Sequence, residues 1–186
     1  TIFSVNPGMT FGTGTHETTR MCICELEKHI KPSCSVLDLG CGSGILSIIS
    51  VLLGAENATA VDIDKNCEDV AYSNAQLNGI GKDRYKVYHG NVLEDEVLRE
   101  KLSGGFDSVV ANIVADVIIA VAPQISNYLN NDGVFICSGI IDFRESDVVN
   151  ALSQQGLEVI NRQQEGEWIA LSCKNPLQAE QAHQRS

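Results

Sequence analysis

The segment that decides the fold is Val36-Leu37-Asp38-Leu39-Gly40-Cys41-Gly42-Ser43-Gly44, an apolar run that leads into three alternating glycines. The apolar run predicts a buried strand, and a helix starting near Ile45 would turn its free N–H groups toward the glycines. Glycines remove side chains where a ligand must lie against the backbone. We therefore predict a strand, a ligand-binding turn and a helix in this order.

A second strand, predicted over 58–63, ends beside the carboxylates of Asp62 and Asp64. Asp62 follows Gly40 by 22 residues, about where a doubly wound sheet places an acid against the two hydroxyls of a ribose. Together with Asp38, which precedes the glycines, it indicates a nucleoside ligand. A strand-to-helix turn that holds no ligand is the alternative interpretation.

The spacing of the glycines separates two ligand classes, dinucleotides and S-adenosylmethionine. A dinucleotide fingerprint, Gly-x-Gly-x-x-Gly, needs its third glycine so that the helix can pack beneath a pyrophosphate. In this chain the third glycine, Gly44, comes one residue early, and Ile45 takes its place. The tighter pattern resembles the first motif of class I methyltransferases and predicts that Gly40, Gly42 and Gly44 lie against S-adenosylmethionine.

Length and composition narrow the class of protein. The chain has 186 residues, of which 44% are hydrophobic, and this fits one domain with a full core. It has no long apolar run and no charged-then-apolar leader, so we expect neither membrane insertion nor secretion. Seven cysteines, an odd number, favour a reducing cytoplasm over a disulfide framework. No cysteine or histidine pair completes a metal site, so we predict no metal.

The net charge of -11 bears on the partner. It argues against direct contact with a nucleic-acid backbone. It suits a basic, lysine-rich protein substrate, although an acidic surface that serves only solubility is the alternative.

Strands and helices alternate along the chain. The predicted strands are 35–39, 58–63, 85–89, 106–112, 134–138, 157–162 and 168–174. The predicted helices are 15–30, 45–53, 65–77, 93–102, 116–129 and 145–155, with a kink or break at Pro123 and a turn at 131–133. Only the last two strands are joined by a short turn, so they are antiparallel, whereas the others run parallel. This predicts the α/β class, with a seven-stranded, mostly parallel, Rossmann-like sheet, helices on both faces and the last strand antiparallel.

A glycine- and hydroxyl-rich loop, residues 6–19, runs straight into the first helix and has the composition of a flexible lid. Four threonines stand near the helix N-terminus: Thr13, Thr15, Thr18 and Thr19. Their hydroxyls can receive a carboxylate such as the methionine end of the cofactor. Alternatively, Thr15 caps the helix and the others are ordinary polar positions. His16 is a candidate base or, alternatively, a capping residue.

Asn112 ends the apolar strand 106–112, at the edge where open α/β sheets bind their ligands. Its amide can accept a hydrogen bond from a substrate amine or orient the cofactor, because it carries both acceptor and donor groups. We therefore predict Asn112 as a catalytic and cofactor-binding residue. An asparagine that merely ends a strand is the alternative.

Six motifs together resemble the PrmA family of bacterial methyltransferases. They are residues 9–16, 38–46, 61–64, 111–115, 138–141 and 166–168. The resemblance covers residues 5–174, and Phe-Gly-Thr-Gly-Thr-His (11–16) and Asn-Ile-Val-Ala (112–115) are its specific elements. It implies transfer of methyl groups from S-adenosyl-L-methionine to lysines and the N-terminal amine of ribosomal protein L11, free or on the large subunit, with S-adenosyl-L-homocysteine as product.

The resemblance also implies site residues. It places cofactor contacts at Thr19, Gly40, Asp62 and Asn112. The remaining residues of the predicted cofactor site are Asp38, Gly42, Gly44, Phe11 and Thr13. Phe11 and Trp168 are candidates to wall a lysine channel, with core packing the alternative for Trp168.

The resemblance further divides the chain. It makes residues 1–174 a catalytic domain, whereas residues 175–186 lack apolar periodicity and are expected to be a disordered tail. The family carries an N-terminal domain that captures the ribosomal protein, and we expect that domain to be absent here. Glu17 stands where the family usually has proline, a mild change because a glutamate suits the first helical turn.

Three functions follow from these observations. The leading one is a cytoplasmic methyltransferase of the amines of ribosomal protein L11. A related methyltransferase that acts on another protein lysine or a small amine is the second. A nucleotide-binding module without catalysis is the third.

Overall fold

The computed structural model describes Ser4 and residues 16–175. The strands within this part of the chain are β1 Ser35–Leu39, β2 Asn57–Asp62, β3 Tyr85–His89, β4 Phe106–Asn112, β5 Leu129–Ile141, β6 Glu158–Glu165 and β7 Trp168–Lys174. The α-helices are α1 Glu17–His29, α2 Ile45–Leu52, α3 Asn66–Leu77, α4 Glu96–Leu102, α5 Ala115–Tyr128 and α6 Glu145–Gln154, and a short 3₁₀ helix covers Asp142–Arg144.

The strands form one sheet in the order β3-β2-β1-β4-β5-β7-β6. The pairs from β3 to β5 are parallel, and β7 is antiparallel to both of its neighbours. This confirms the predicted sheet with its last strand reversed. The chain leaves β1 toward β2 on one side and later returns as β4 on the other, so the order switches at the carboxyl ends of β1 and β4, where such sheets bind ligands.

Helices cover both faces of the sheet. One core cluster packs α1, α2 and α3 against the sheet through Cys22, Leu26, Ile45, Ile48 and Ala71. The second packs α4, α5 and α6 against the opposite face through Leu102, Ile118, Val121, Ile125 and Leu152. The central strands are therefore buried on both sides, which explains why they are apolar runs rather than alternating patterns.

Strand β5 begins earlier than predicted. The turn expected at 131–133 lies within β5, where the register with β4 shifts between Phe106 and Ser108. At this irregularity a Cβ on Gly133 would lie 3.0 Å from the carbonyl oxygens of both Asn130 and Phe106. Glycine therefore serves a close backbone approach within the strand instead of a turn between elements.

Two helices also differ from the prediction. Helix α4 starts at Glu96 because Asp95 caps it, accepting a hydrogen bond from the N–H of Leu98 at 2.9 Å. Pro123 does not break α5, which continues to Tyr128. Burial of Ile125 beyond the proline keeps this helix on the sheet despite the lost backbone hydrogen bond.

The cysteines form no disulfide bonds with one another. All seven cysteines are free thiols, and five of them are buried.

None of the helices in the described part of the chain is long and apolar enough to cross a membrane.

Candidate active site

The glycine turn after β1 is bound to the end of β2. The N–H groups of Gly40 and Cys41 donate to the carbonyl of Val61 at 2.9 and 3.1 Å. The N–H of Gly42 donates to Oδ2 of Asp62 at 2.8 Å. The turn and the acid predicted to act together are therefore in direct contact, although they come from different strands.

Asp62 has acceptor capacity left for a ligand. One oxygen accepts from Gly42, and the other accepts from the N–H of Asp64 at 2.9 Å. An ionised carboxylate offers about four lone-pair positions, so each oxygen can accept a second hydrogen bond. The side chain is only partly buried, and it faces the cavity described next. This arrangement suits two adjacent hydroxyl donors.

A cavity of about 510 Å³ lies at the carboxyl ends of the first four strands. Its lining includes Leu39, Gly40, Gly42, Val61, Asp62, Ile63, Asp64, Cys67, Gly90, Asn91, Val92, Leu93, Ile113, Val114, Val117 and Val121. Most of these side chains are apolar, and the charged ones among them are the two aspartates. The volume is in the range of about 300–1,000 Å³ that small-molecule sites usually have.

Gly40 and Gly44 serve packing around the turn. A Cβ on Gly40 would lie 2.5 Å from Cγ2 of Ile113, and one on Gly44 would lie 2.5 Å from the hydroxyl of Tyr85. Both glycines have left-handed φ angles, +72° and +78°. Gly40 lines the cavity, but Gly44 does not, so the structure explains Gly44 by close contact with the protein below the turn.

Asp38 also lies below the turn. It is 1% exposed, does not line the cavity, and accepts a hydrogen bond from the N–H of Ser47 at 3.1 Å. Burial raises the pKa of Asp38 to about 7, and the hydrogen bonds from Ser47 oppose that rise. Its contact with the first turn of α2 indicates that Asp38 orients the helix behind the glycines.

Asn112 and Thr19 form a second part of the site. The side-chain amide of Asn112 donates to the hydroxyl of Thr19 at 3.2 Å, and Thr19 is 3% exposed. Leu39 pairs with Ala111 in the parallel register, so Asn112 ends β4 beside Gly40, the first residue after β1. The structure therefore brings Thr19, Asn112 and the glycine turn to one edge of the sheet.

The backbone after Asn112 is fixed by β5. The N–H of Ile113 donates to the carbonyl of Ser138 at 3.1 Å. A Cβ on Gly139, which has a φ of +84°, would lie 2.5 Å from the carbonyl oxygen of Ile113. Glycine at 139 thus allows β5 to pass directly against the segment that presents Asn112.

His16 caps α1. Its Nδ1 accepts from the N–H of Thr18 at 3.3 Å and lies 2.9 Å from the Thr18 hydroxyl. The capping interpretation of His16 is therefore confirmed.

The ring of His16 meets Trp168 edge-on, with 5.3 Å between the ring centroids. Trp168 is partly exposed, so it is not simply a core residue.

Residues 1–176 match the family described as ribosomal protein L11 methyltransferase (PrmA). The chain belongs to this family.

Individual relatives agree with that assignment. The chain is 44% identical over 177 residues to the ribosomal protein L11 methyltransferase of Agathobacter rectalis, and 46% identical over 170 residues to that of Acetivibrio thermocellus. These alignments cover 93% and 91% of this chain but 55% and 52% of the relatives. The chain therefore spans about half the length of the curated relatives it matches.

A solved structure shows the same fold. The crystal structure of ribosomal protein L11 methylase from Lactobacillus delbrueckii subsp. bulgaricus matches with a TM-score of 0.82 at 34% identity. The match covers 92% of this chain and 83% of that chain.

Sequence reasoning missed one wall of the cavity in this PrmA family member. Asn91 and Val92 line the cavity just after β3, beside Asp62. Strand order could have indicated this wall. Asp62 pairs with His89, so the residues directly after His89 reach the same edge of the sheet as Asp62. Phe11 and Thr13, which complete the predicted cofactor site, lie outside the described residues.

Proposed function

We propose that this chain is the catalytic part of a methyltransferase that uses S-adenosyl-L-methionine to methylate ribosomal protein L11. The acceptors are lysine side-chain amines and the N-terminal α-amine, and S-adenosyl-L-homocysteine is the product. Family membership and the names of the relatives support this proposal. The observation that carries it is the contact of Asp62 with the glycine turn at an apolar cavity whose charged walls are acidic.

The cavity suits the adenosine of this cofactor. Asp62 accepts from the ribose hydroxyls, and apolar side chains such as Ile63 and Val117 pack on the base. The carboxylates of Asp62 and Asp64 favour a ligand that carries a positive sulfonium. A dinucleotide pyrophosphate would meet the same carboxylates, and no lysine or arginine is among the described lining residues to offset them. These charges favour S-adenosylmethionine over a dinucleotide.

The chemistry makes amine placement the main task of the protein. S-adenosylmethionine supplies an already activated methyl group, so no strong nucleophile has to be generated on the enzyme. The amine itself must be neutral to react. At pH 7 this costs roughly 4–5 kcal/mol for a lysine of ordinary pKa, about 10.4. A site that desolvates the amine lowers this cost, because burial disfavours the ammonium form.

Asn112 is the residue that we assign to holding the amine. Its N–H₂ end donates to Thr19, which determines the direction of its amide oxygen. Within Ser4 and residues 16–175 that oxygen has no hydrogen-bond donor, so it can accept an N–H of the substrate amine. The exposed side chains of Val114 and Val117 follow in the chain and provide an apolar border. The proton lost by the amine leaves to water.

Net charge and free thiols support the proposed protein partner and the cytoplasmic compartment. An excess of 11 negative charges suits a basic protein and disfavours direct contact with nucleic acid. We place the reaction in the cytoplasm, where free thiols persist.

Equilibrium binding tests the cofactor assignment. Calorimetry with S-adenosylhomocysteine, S-adenosylmethionine and NAD should show binding of the first two and none of NAD. Tight NAD binding without S-adenosylhomocysteine binding would favour the nucleotide-binding module. A panel of L11, other lysine-bearing proteins and small amines then separates the leading substrate from the second alternative.

A further inference from the structure

We infer that Asn74, a buried residue of α3, is a positioning residue that holds the glycine turn in its cofactor-binding shape before the cofactor arrives. This inference rests on the proposed function. Asn74 does not line the cavity and is 0% exposed. It therefore acts through the turn and not on the ligand.

The contact is a direct one. The side-chain Nδ2 of Asn74 donates to the carbonyl oxygen of Ser43 at 2.9 Å, in a fully buried position. Ser43 is itself 2% exposed and stands between Gly42 and Gly44. An amide buried at this depth makes a hydrogen bond that water does not replace, so the turn is tied firmly to α3.

Asn74 completes a set of three restraints on the turn. The Gly42 N–H is held by Asp62, and the Gly44 N–H donates to the carbonyl of Cys41 at 2.8 Å. The Ser43 carbonyl belongs to the same peptide group as the Gly44 N–H. Asn74 and Cys41 therefore fix both polar ends of that peptide, and Asp62 holds the N–H of the peptide between Cys41 and Gly42.

The glycines explain why a restraint is needed. Gly42 and Gly44 have φ angles of +53° and +78°, but glycine adopts many other conformations at little cost. Without the hydrogen bond from Asn74, the turn would populate conformations that do not accept the cofactor. Apparent affinity then falls by the fraction of chains that remain competent.

The expected effect is specific to cofactor binding. Asn74→Ala should weaken S-adenosylhomocysteine binding about tenfold and raise the KM for S-adenosylmethionine similarly, in line with the loss of one buried hydrogen bond. The kcat at saturating S-adenosylmethionine should stay within about twofold, because bound cofactor orders the turn in both ground and transition states. Saturating cofactor therefore rescues the variant.

Asn130→Ala is a matched control. Asn130 also donates a side-chain amide hydrogen bond, to Oδ1 of Asp107 at 2.9 Å. It lies at the start of β5, at the opposite edge of the sheet from the turn. It should lower the thermal midpoint without changing S-adenosylhomocysteine affinity. If Asn74→Ala behaves in the same way, its role is structural only and the inference is wrong.

Hydrogen exchange on the unaltered chain gives a second test that does not depend on a variant folding. Peptides covering residues 40–47 should exchange slowly without ligand. Fast exchange that slows only when S-adenosylhomocysteine is added would overturn the inference. If the unaltered chain bound no S-adenosylhomocysteine, the proposed function would fail, whereas slow exchange in the turn would still support the restraint.

Discussion

The side-chain amide of Asn112 donates a hydrogen bond to the hydroxyl of Thr19, joining two residues that are 93 positions apart in the chain. This contact links the first turn of α1 to the carboxyl end of β4. It fixes which end of the Asn112 amide faces Thr19, and the oxygen at the other end is the proposed acceptor for a substrate amine. The orientation of this one side chain is therefore central to the proposed reaction.

Thr19→Val should lower kcat for methyl transfer about tenfold, because valine keeps the volume of threonine but removes the acceptor that orients Asn112. Thr19→Ser keeps a hydroxyl and is the matched control, with kcat close to that of the unaltered chain. Steady-state kinetics at saturating cofactor measure both.

The coupling of the two residues can be measured directly. In a double-mutant cycle, Asn112→Ala should cost most of the activity alone, and adding Thr19→Val should cost little more. Fully additive losses would show that the two side chains act independently. Normal turnover by Asn112→Ala would remove this residue from the mechanism.

Asp62→Ala should weaken S-adenosylhomocysteine binding about 100-fold or more, because it removes the proposed acceptor of the two ribose hydroxyls, which also accepts from the Gly42 N–H. Asp132→Ala removes an exposed carboxylate at the start of β5 and should leave affinity unchanged. Titration calorimetry compares the two variants. Equal affinities would exclude Asp62 from the binding site.

Gly139→Ala should destabilise the fold and reduce activity together. Its Cβ would lie 2.5 Å from the carbonyl oxygen of Ile113, so the segment presenting Asn112 has to move. Gly54→Ala is the control, since Gly54 also has a positive φ, +117°, but no atom of Ser4 or residues 16–175, apart from its own chain neighbours, lies within 4 Å of an added Cβ.

Strain alone should cost Gly54→Ala about 1–2 kcal/mol in the free energy of unfolding, with kcat unchanged. Gly139→Ala should lose more stability and most of its activity. Chemical denaturation and initial rates report the two quantities, and equal losses for both variants would contradict a specific clash at Ile113.

Asp38→Asn tests the buried carboxyl through the pH dependence of stability. The pKa of Asp38 is raised by burial to about 7 from an ordinary 3.8, so the folded state holds a proton that the unfolded state releases between these values. The free energy of unfolding of the unaltered chain therefore falls as pH rises through this window.

Asparagine does not ionise, so Asp38→Asn lacks this contribution. The stability of the variant relative to the unaltered chain should rise by up to ~1.4 kcal/mol per pH unit between about pH 4 and pH 7. Above that range the difference should be constant. Urea denaturation at several pH values measures it, and a difference that does not vary with pH would contradict a raised pKa.

The order of the elements could be predicted because each signal is local. Apolar runs alternated with helical patterns, and the short turn at Glu165-Gly166 reversed the last strand. The start of β5 could not be predicted in the same way. Gly133 looks like a turn residue, but it packs against the carbonyl oxygens of Asn130 and Phe106, which only the folded sheet brings together.

The candidate site also contains both residues that the sequence predicts and residues that only the folded structure reveals. The spacing of the glycine turn and Asp62 predicted two groups that the structure places in contact. The close packing of Gly44 against Tyr85 could not be predicted, because contacts between distant parts of the chain are not visible in the sequence. Asn91 belongs to no recognisable motif. It lines the cavity because β3, which precedes it, pairs with β2.

The central claim is most directly tested by transfer of isotopically labelled methyl from S-adenosylmethionine to purified, unmodified ribosomal protein L11, with mass spectrometry to locate the product. We predict label on lysine side chains or on the N-terminal amine, and loss of that label in Asp62→Ala. Tight binding of S-adenosylhomocysteine with no label on L11, under conditions where another protein or a small amine is methylated, would contradict it.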